Sequence, residues 1–212
     1  MSSQDNSLTD FLPETVLNYW FAGSENNAGL AADRMPFWFQ SDAKADEEIK
    51  KRFGAFIQPA SEGDYSDWGK SPRECLALII LLDQFPRNVY RNTAKAFEFD
   101  ALALGLSIVG TTLGFVDELS PIEQTFFLMP YQHTEDLSRQ QEGFGCYERV
   151  LQNAAPEWQS LIAGSVDFAR QHLEIIEQFG RFPHRNAVLG RSSTPEEEAY
   201  IAAGGATFGQ GS

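Results

Sequence analysis

Three short stretches hold most of the groups that can bind an anion or move a proton. They span residues 82–91, 129–136 and 176–186. The first and third echo each other: an acid, Gln and Phe, then Pro and Arg-Asn, with a different spacing after Phe. Five of the chain's 11 arginines (Arg87, Arg91, Arg181, Arg185, Arg191) fall in these two stretches or just after them. His133 and His184, two of its 3 histidines, belong to the same set of stretches. In a chain of net charge −14 this local enrichment runs against the overall trend. Arginine offers a planar fork of donors suited to carboxylate or phosphate. If the stretches converge, Gln84, Arg87, Asn88, Arg181, Arg185 and Asn186 are the expected ligand-binding residues for a small anion. His133 or His184, with Asp83 or Glu135, is the expected acid–base pair.

The same residues also admit a structural reading. Arginine near a helix end often caps carbonyls or pairs with a nearby acid, and Asn after Arg often closes a turn. A metal centre is not expected. His133 and Glu135 are two apart and diverge on a helix. The chain has no His-Glu-x-x-His and no cysteine cluster. It also lacks a Gly-x-Ser-x-Gly elbow, a Gly-Lys-Ser/Thr phosphate loop and a strand-linked Gly-x-Gly-x-x-Gly. No cofactor is therefore expected. The third histidine, His172, reads as surface or core filler on a helix.

The elements that would carry these groups are helical. Ser71-Pro72-x-Glu74, Ser120-Pro121-x-Glu123 and Thr194-Pro195-x-Glu197 share one grammar. A hydroxyl caps the helix, proline follows where its missing N–H costs nothing, and glutamate reaches back to the cap. Pro13 and Pro156 mark weaker starts. Apolar residues recur at helical intervals, as in Phe97, Ala101, Leu104 and Ile108. The run 76–82 is apolar nearly all round, so its helix should be central. Alternating β-branched runs and Asn-Gly turns are missing. The expected helices lie near 13–22, 43–58, 72–86, 94–112, 121–133, 136–153, 158–179 and 195–203. Loops are expected at 23–36, 59–70, 113–119 and 180–193, with helix 72–86 stopping at Pro86.

Composition bounds the rest. The chain has 212 residues, 42% of them hydrophobic, with 17 Phe and 4 Trp. That predicts one all-α domain of stacked antiparallel helices over 1–212, with 1–10 and 205–212 as flexible tails and Phe208 as an anchor. The aromatic clusters 19–21 and 37–39 should pack the first helix or line a groove. Strong acidity repels phosphate backbones and anionic lipid heads, so neither nucleic acid nor a membrane is an expected partner. Cys75 and Cys146 read as buried hydrophobes. With no signal-peptide pattern and no long apolar run, the expected location is cytoplasmic.

The quoted stretches, together with Val16-Leu17-Asn18-Tyr19-Trp20-Phe21 and Gly190-Arg191 with Ser193-Thr194-Pro195-Glu196, resemble a bacterial family, domain of unknown function 924. The resemblance spans roughly 12–208. Thr134 departs from it, standing where the family usually has Ser, and both carry a hydroxyl. The resemblance implies a tetratricopeptide-like helical superhelix. It supplies no activity. Two functional readings therefore stand: a protein that binds, or an enzyme that acts on, a small anionic ligand, or a helical interaction module whose Arg, His and Asn motifs are structural.

Overall fold

A computed structural model describes residues 11–209. The chain is all-helical, with no strand among the described residues. The helices are α1 (Pro13–Phe21), α2 (Ala28–Phe39), α3 (Ala43–Glu62), α4 (Pro72–Ile79), α5 (Phe85–Val89), α6 (Asp100–Thr112), α7 (Pro121–His133), α8 (Leu137–Asn153), α9 (Gln159–Phe179) and α10 (Pro195–Ala202). The proline-marked starts fall where the capping grammar puts them. At α10 the Thr194 hydroxyl accepts from the Glu197 N–H while Glu197 accepts from the Thr194 N–H. At α7 Glu123 accepts from the Ser120 N–H. At α4 the Ser71 hydroxyl donates to the Glu74 carboxylate instead of capping the backbone.

Helix α4 sits at the centre, packed against α1, α6 and α7. Every residue from Cys75 to Gln84 is buried, as the apolar run requires. The later helices pack in sequence order, α6 on α7, α7 on α8 and α8 on α9. Short connections force each to run back along the last. The main core joins Trp20, Phe53, Phe85, Phe126, Phe127, Tyr131 and Tyr147. A second cluster joins Ile175, Ile176 and Phe182 with Phe179, Tyr200 and Phe208.

The loop expected at 23–36 is largely helix α2, which runs through Pro36. Asn27 supplies the start signal, its side chain accepting from the Leu30 N–H. Helix α3 runs on through Pro59 to Glu62. The segment expected as helix from 94 begins as a 3₁₀ turn, and α6 proper starts at Asp100. The stop expected at Pro86 does not occur. Helix α4 widens into a π-helical turn, Ile80–Gln84, and continues as α5. The Phe85 N–H donates five residues back, to Ile80 O. The wider turn absorbs the missing proline N–H, so the chain stays helical. Of the tails, 1–10 and 210–212 lie outside the described residues. Residues 205–209 pack back on the body through Phe208, stacked on His172, and Gly209 O, which accepts from Arg91.

Helices α7 and α8 approach so closely that a Cβ on Gly143 would run into Tyr131, whereas one on Gly145 would meet nothing. Gly143→Ala should therefore lower stability by about 1–3 kcal/mol. Gly145→Ala on the same helix should be neutral or raise it by about 0.5–1 kcal/mol. Denaturant unfolding of the pair is the measurement; equal effects would contradict the close approach.

Candidate functional site

The π-helical turn aims Asp83 and Gln84 into the protein, where Asp83 is fully buried. His133, the last residue of α7, places Nδ1 2.7 Å from Asp83 Oδ1. A carboxylate can only accept here, so the proton sits on Nδ1. The Gln84 amide also donates to Asp83. Burial alone would raise the Asp83 pKa. The Arg87 guanidinium and His133 overrule it and hold the carboxyl well below its usual range. Burial and Arg87 lower the His133 pKa against the pull of Asp83, so the ring is neutral near pH 7. Its Nε2 then carries a lone pair, and no described residue hydrogen-bonds it.

Asp100, at the start of α6, binds two arginines at once. Arg87 donates to both its oxygens, at 2.8 and 2.9 Å. Arg185 Nη1 lies 3.3 Å from Oδ2 and donates to His133 O at 3.0 Å. The Arg185 guanidinium sits between the Phe97 and Phe182 rings, 4.4 and 4.5 Å from their centroids. Its Nε is buried without a hydrogen-bond partner. Burial, with Arg87 close by, brings its pKa down to about 10 despite Asp100, so it stays charged at pH 7.

Of these groups Gln84, Arg87, Phe97, His133 and Arg185 border a cavity of about 150 Å³. Its polar side is Gln84, Arg87, Asn88, Arg91, Gln132, His133 and Arg185. Trp38, Phe39, Phe97, Met129, Phe168 and Phe208 supply its apolar wall, and His172 borders it as well. Asn88 and Arg91 share Asp46, with Arg91 donating to both carboxylate oxygens at 2.7 and 2.8 Å. The three sequence stretches thus meet at Asp83, His133 and Arg185.

Five expected site residues lie outside the cavity lining, one of them Asp83, which bonds His133 from behind. Glu135 receives a two-pronged bond from Arg191, at 2.7 and 3.0 Å, and one from the Phe182 N–H at 2.8 Å. Arg181 grips Glu197 with Nε and Nη2. Asn186 donates to Glu197 and Ser193 and accepts from Arg191. Together they pin loop 180–194, which carries Arg185 to the cavity. His184 is buried near the Phe182 and Phe208 rings, its Nδ1 unpartnered. Burial and then Arg185 push its pKa down to about 3.

Sequence reasoning missed several lining residues. His172 is only 5% exposed and borders the cavity, not the surface. Its signal was the spacing Ser165, Phe168, His172, one face of α9. Trp38 and Phe39 lie between the expected loop 23–36 and the expected helix 43–58, and the aromatic clusters serve both readings: Trp20 and Phe21 fill the core while Trp38 and Phe39 reach the cavity. Nothing in the sequence singles out Asp100 or Asp46. Among the described residues no group of three His, Cys, Asp or Glu side chains could hold a metal ion, and no helix is long and apolar enough to cross a membrane.

The chain belongs to the family described as bacterial protein of unknown function (DUF924), whose pattern matches residues 16–205. A protein of unknown function from Agrobacterium tumefaciens has a similar solved structure, with a TM-score of 0.76 and 29% identity over 90% of this chain and 97% of that one. No curated protein matches the chain.

Burial lowers the pKa of all three histidines, His133, His172 and His184, from the usual 6.5. In the unfolded chain each binds a proton near pH 6.5, but in the folded chain only at lower pH. Unfolding therefore takes up protons as the pH drops. Stability should be full above about pH 6.5 and fall below it, by at most about 1.4 kcal/mol per pH unit per histidine. The carboxylates add their loss only below about pH 4.5. Unfolding free energy measured between about pH 7 and 5 checks this. His184→Phe should remove about one histidine's share of the slope, and a flat profile in the wild type would contradict buried, neutral rings.

Proposed function

We propose that the cavity binds a small organic anion with an apolar body, and that His133, oriented by Asp83, accepts a proton from the bound molecule. The observation that carries this reading is convergence. A neutral imidazole with a free Nε2, and an arginine with unused donors, border one aromatic-walled space. Arg185 spends Nη1 on protein acceptors, while Nε and Nη2 find none among the described residues. A buried donor left unmade costs about 1–3 kcal/mol, which an anionic ligand would recover. A volume of about 150 Å³ is that of an apolar cavity that takes one benzene ring. When Nε2 takes a proton, the imidazolium formed is held by the Asp83 carboxylate, the orienting role such an acid plays beside a general base.

Three further elements belong to the same reading. The protein works in the cytoplasm, it folds as one domain, and its sequentially packed helices are a tetratricopeptide-like arrangement. The interaction-module reading has its own support in Leu102 and Val109 on α6 and Leu113 just past its end, which are 47%, 56% and 61% exposed. That row has no group that binds an anion or moves a proton, so it does not account for the Asp83–His133–Arg185 cluster.

Calorimetric titration with benzoate and phenylacetate, against benzamide as the neutral control, tests the proposal. Both acids should bind and benzamide should bind at least tenfold more weakly, since hydrogen bonds to charged groups contribute about 1.5–3 kcal/mol. Arg185→Gln should lose most of the acid affinity while keeping a cooperative melt, because Arg87 still satisfies Asp100. Equal affinity for benzamide, or undiminished acid binding by Arg185→Gln, would refute it.

A further inference from the structure

The second imidazole at the cavity, His172, plays no part in the proton transfer above, yet its geometry is fixed as firmly as that of His133. Its Nδ1 lies 2.7 Å from Phe168 O, one helical turn back on α9. A carbonyl oxygen can only accept, so Nδ1 carries the hydrogen and Nε2 the lone pair. The ring plane is set by Phe208, stacked on it at 3.7 Å and 16°. Stacking covers a face and leaves the ring edge to meet the cavity. Nε2 has no hydrogen-bond partner among the described residues. The His133 ring, its own Nε2 equally free, lies 6.0 Å away between centroids at 62°.

Two acceptor nitrogens thus border the same space as the unused donors of Arg185. Lone pairs repel a carboxylate, so the anionic end of a ligand belongs at Arg185 and something else must face the imidazoles. An acceptor at the cavity wall is best matched, once a ligand displaces the water there, by a donor on that ligand. We infer that His172 is a specificity-determining acceptor and that the ligand class is a small hydroxy acid: one carboxylate, one apolar body and at least one hydroxyl donated to Nε2 of His172. This rests on the reading under Proposed function and narrows its ligand. A hydroxyl fits better than an ammonium group. Burial, which together with the Arg185 guanidinium keeps His172 uncharged, opposes a second cation beside it as well. The aromatic wall of Trp38, Phe39, Phe97 and Phe168 suits a ring or short branched chain as the apolar body.

Titration of the wild-type protein with matched probes tests this. Mandelate is compared with phenylacetate and with 2-phenylglycine, and 4-hydroxybenzoate with benzoate. In at least one pair the hydroxy acid should bind tenfold or more tighter than its deoxy partner, because a site built to bond a hydroxyl penalises its loss. His172→Phe keeps an aromatic ring against Phe208 but removes the acceptor. It should abolish that preference while leaving affinity for the deoxy acid within about threefold. Equal binding within both pairs, or phenylglycine binding tighter than mandelate, overturns the hydroxy-acid assignment and leaves anion binding standing. Failure of all the acids to bind overturns both. Should His172→Phe not fold, long-range ¹⁵N–¹H correlation on the wild type still decides. It should show His172 protonated on Nδ1, and the opposite tautomer would end the inference.

Discussion

One carboxylate holds the site together. Asp100 opens α6 with two guanidiniums on its oxygens, Arg87 from the π-turn side and Arg185 from the loop after α9. Two like charges would not rest side by side near the centre of a protein without it. Removing a partner from such a buried set typically costs about 3–5 kcal/mol, because charge is left behind without compensation. The same contact joins regions 85 residues apart in sequence. Arg185 in turn donates to the His133 carbonyl. The position of the base, the anion-binding edge and the loop that closes the cavity therefore share one anchor. The network of Glu135, Asn186, Arg191 and Glu197 serves that anchor by fixing the loop on which Arg185 rides.

The π-helical turn is the second constraint. A regular helix from Pro72 would need an N–H from Pro86 that does not exist. Widening the turn keeps the backbone helical and directs Asp83 and Gln84 inward together. Such turns place polar groups where an α-helix would set apolar ones, and they are frequent at functional sites. Here the result is a carboxylate buried inside an otherwise apolar helix, tolerable because Arg87, His133 and Gln84 all bond it. The chemistry of the site thus begins in one proline.

Much of this was legible in the sequence because it depends on local rules. Pro72, Pro121 and Pro195 with their hydroxyl and glutamate neighbours announce helix starts that need no tertiary partner. The apolar run 76–82 announces a central helix because only full burial can accommodate it. Arg and His concentrated in three stretches of an acidic chain pointed at the cluster that forms. Other features depend on contacts between distant elements, which leave no local mark. Prolines at 36 and 59 lie inside helices because packing outweighs their penalty, and Pro86 because the π-helical turn takes up its missing N–H. Glu135 reads as an acid–base partner and Arg181 and Asn186 as ligand-binding residues, but Arg191 and Glu197 lie close enough to hold them in the loop network. Asp100 looks like any acid in a helix's first turn. His172 looks like an unremarkable polar interruption of α9 until α7 and the chain's last described residues close around it.

The charge balance of the cavity shows what kind of recognition it favours. Arg87, Arg91 and Arg185 are answered by Asp46, Asp83 and Asp100. The imidazoles are neutral, so the site as a whole carries no net charge, inside a chain of −14. Long-range attraction of an anion is therefore weak, and the protein's overall field opposes it. What remains is direction. Arg185 offers donors to one end of the cavity, His133 and His172 offer acceptors, and aromatic rings take the rest. A molecule is selected here by where its donors and acceptors lie on a small apolar frame, and a bare inorganic anion, with no such frame, meets only part of the site.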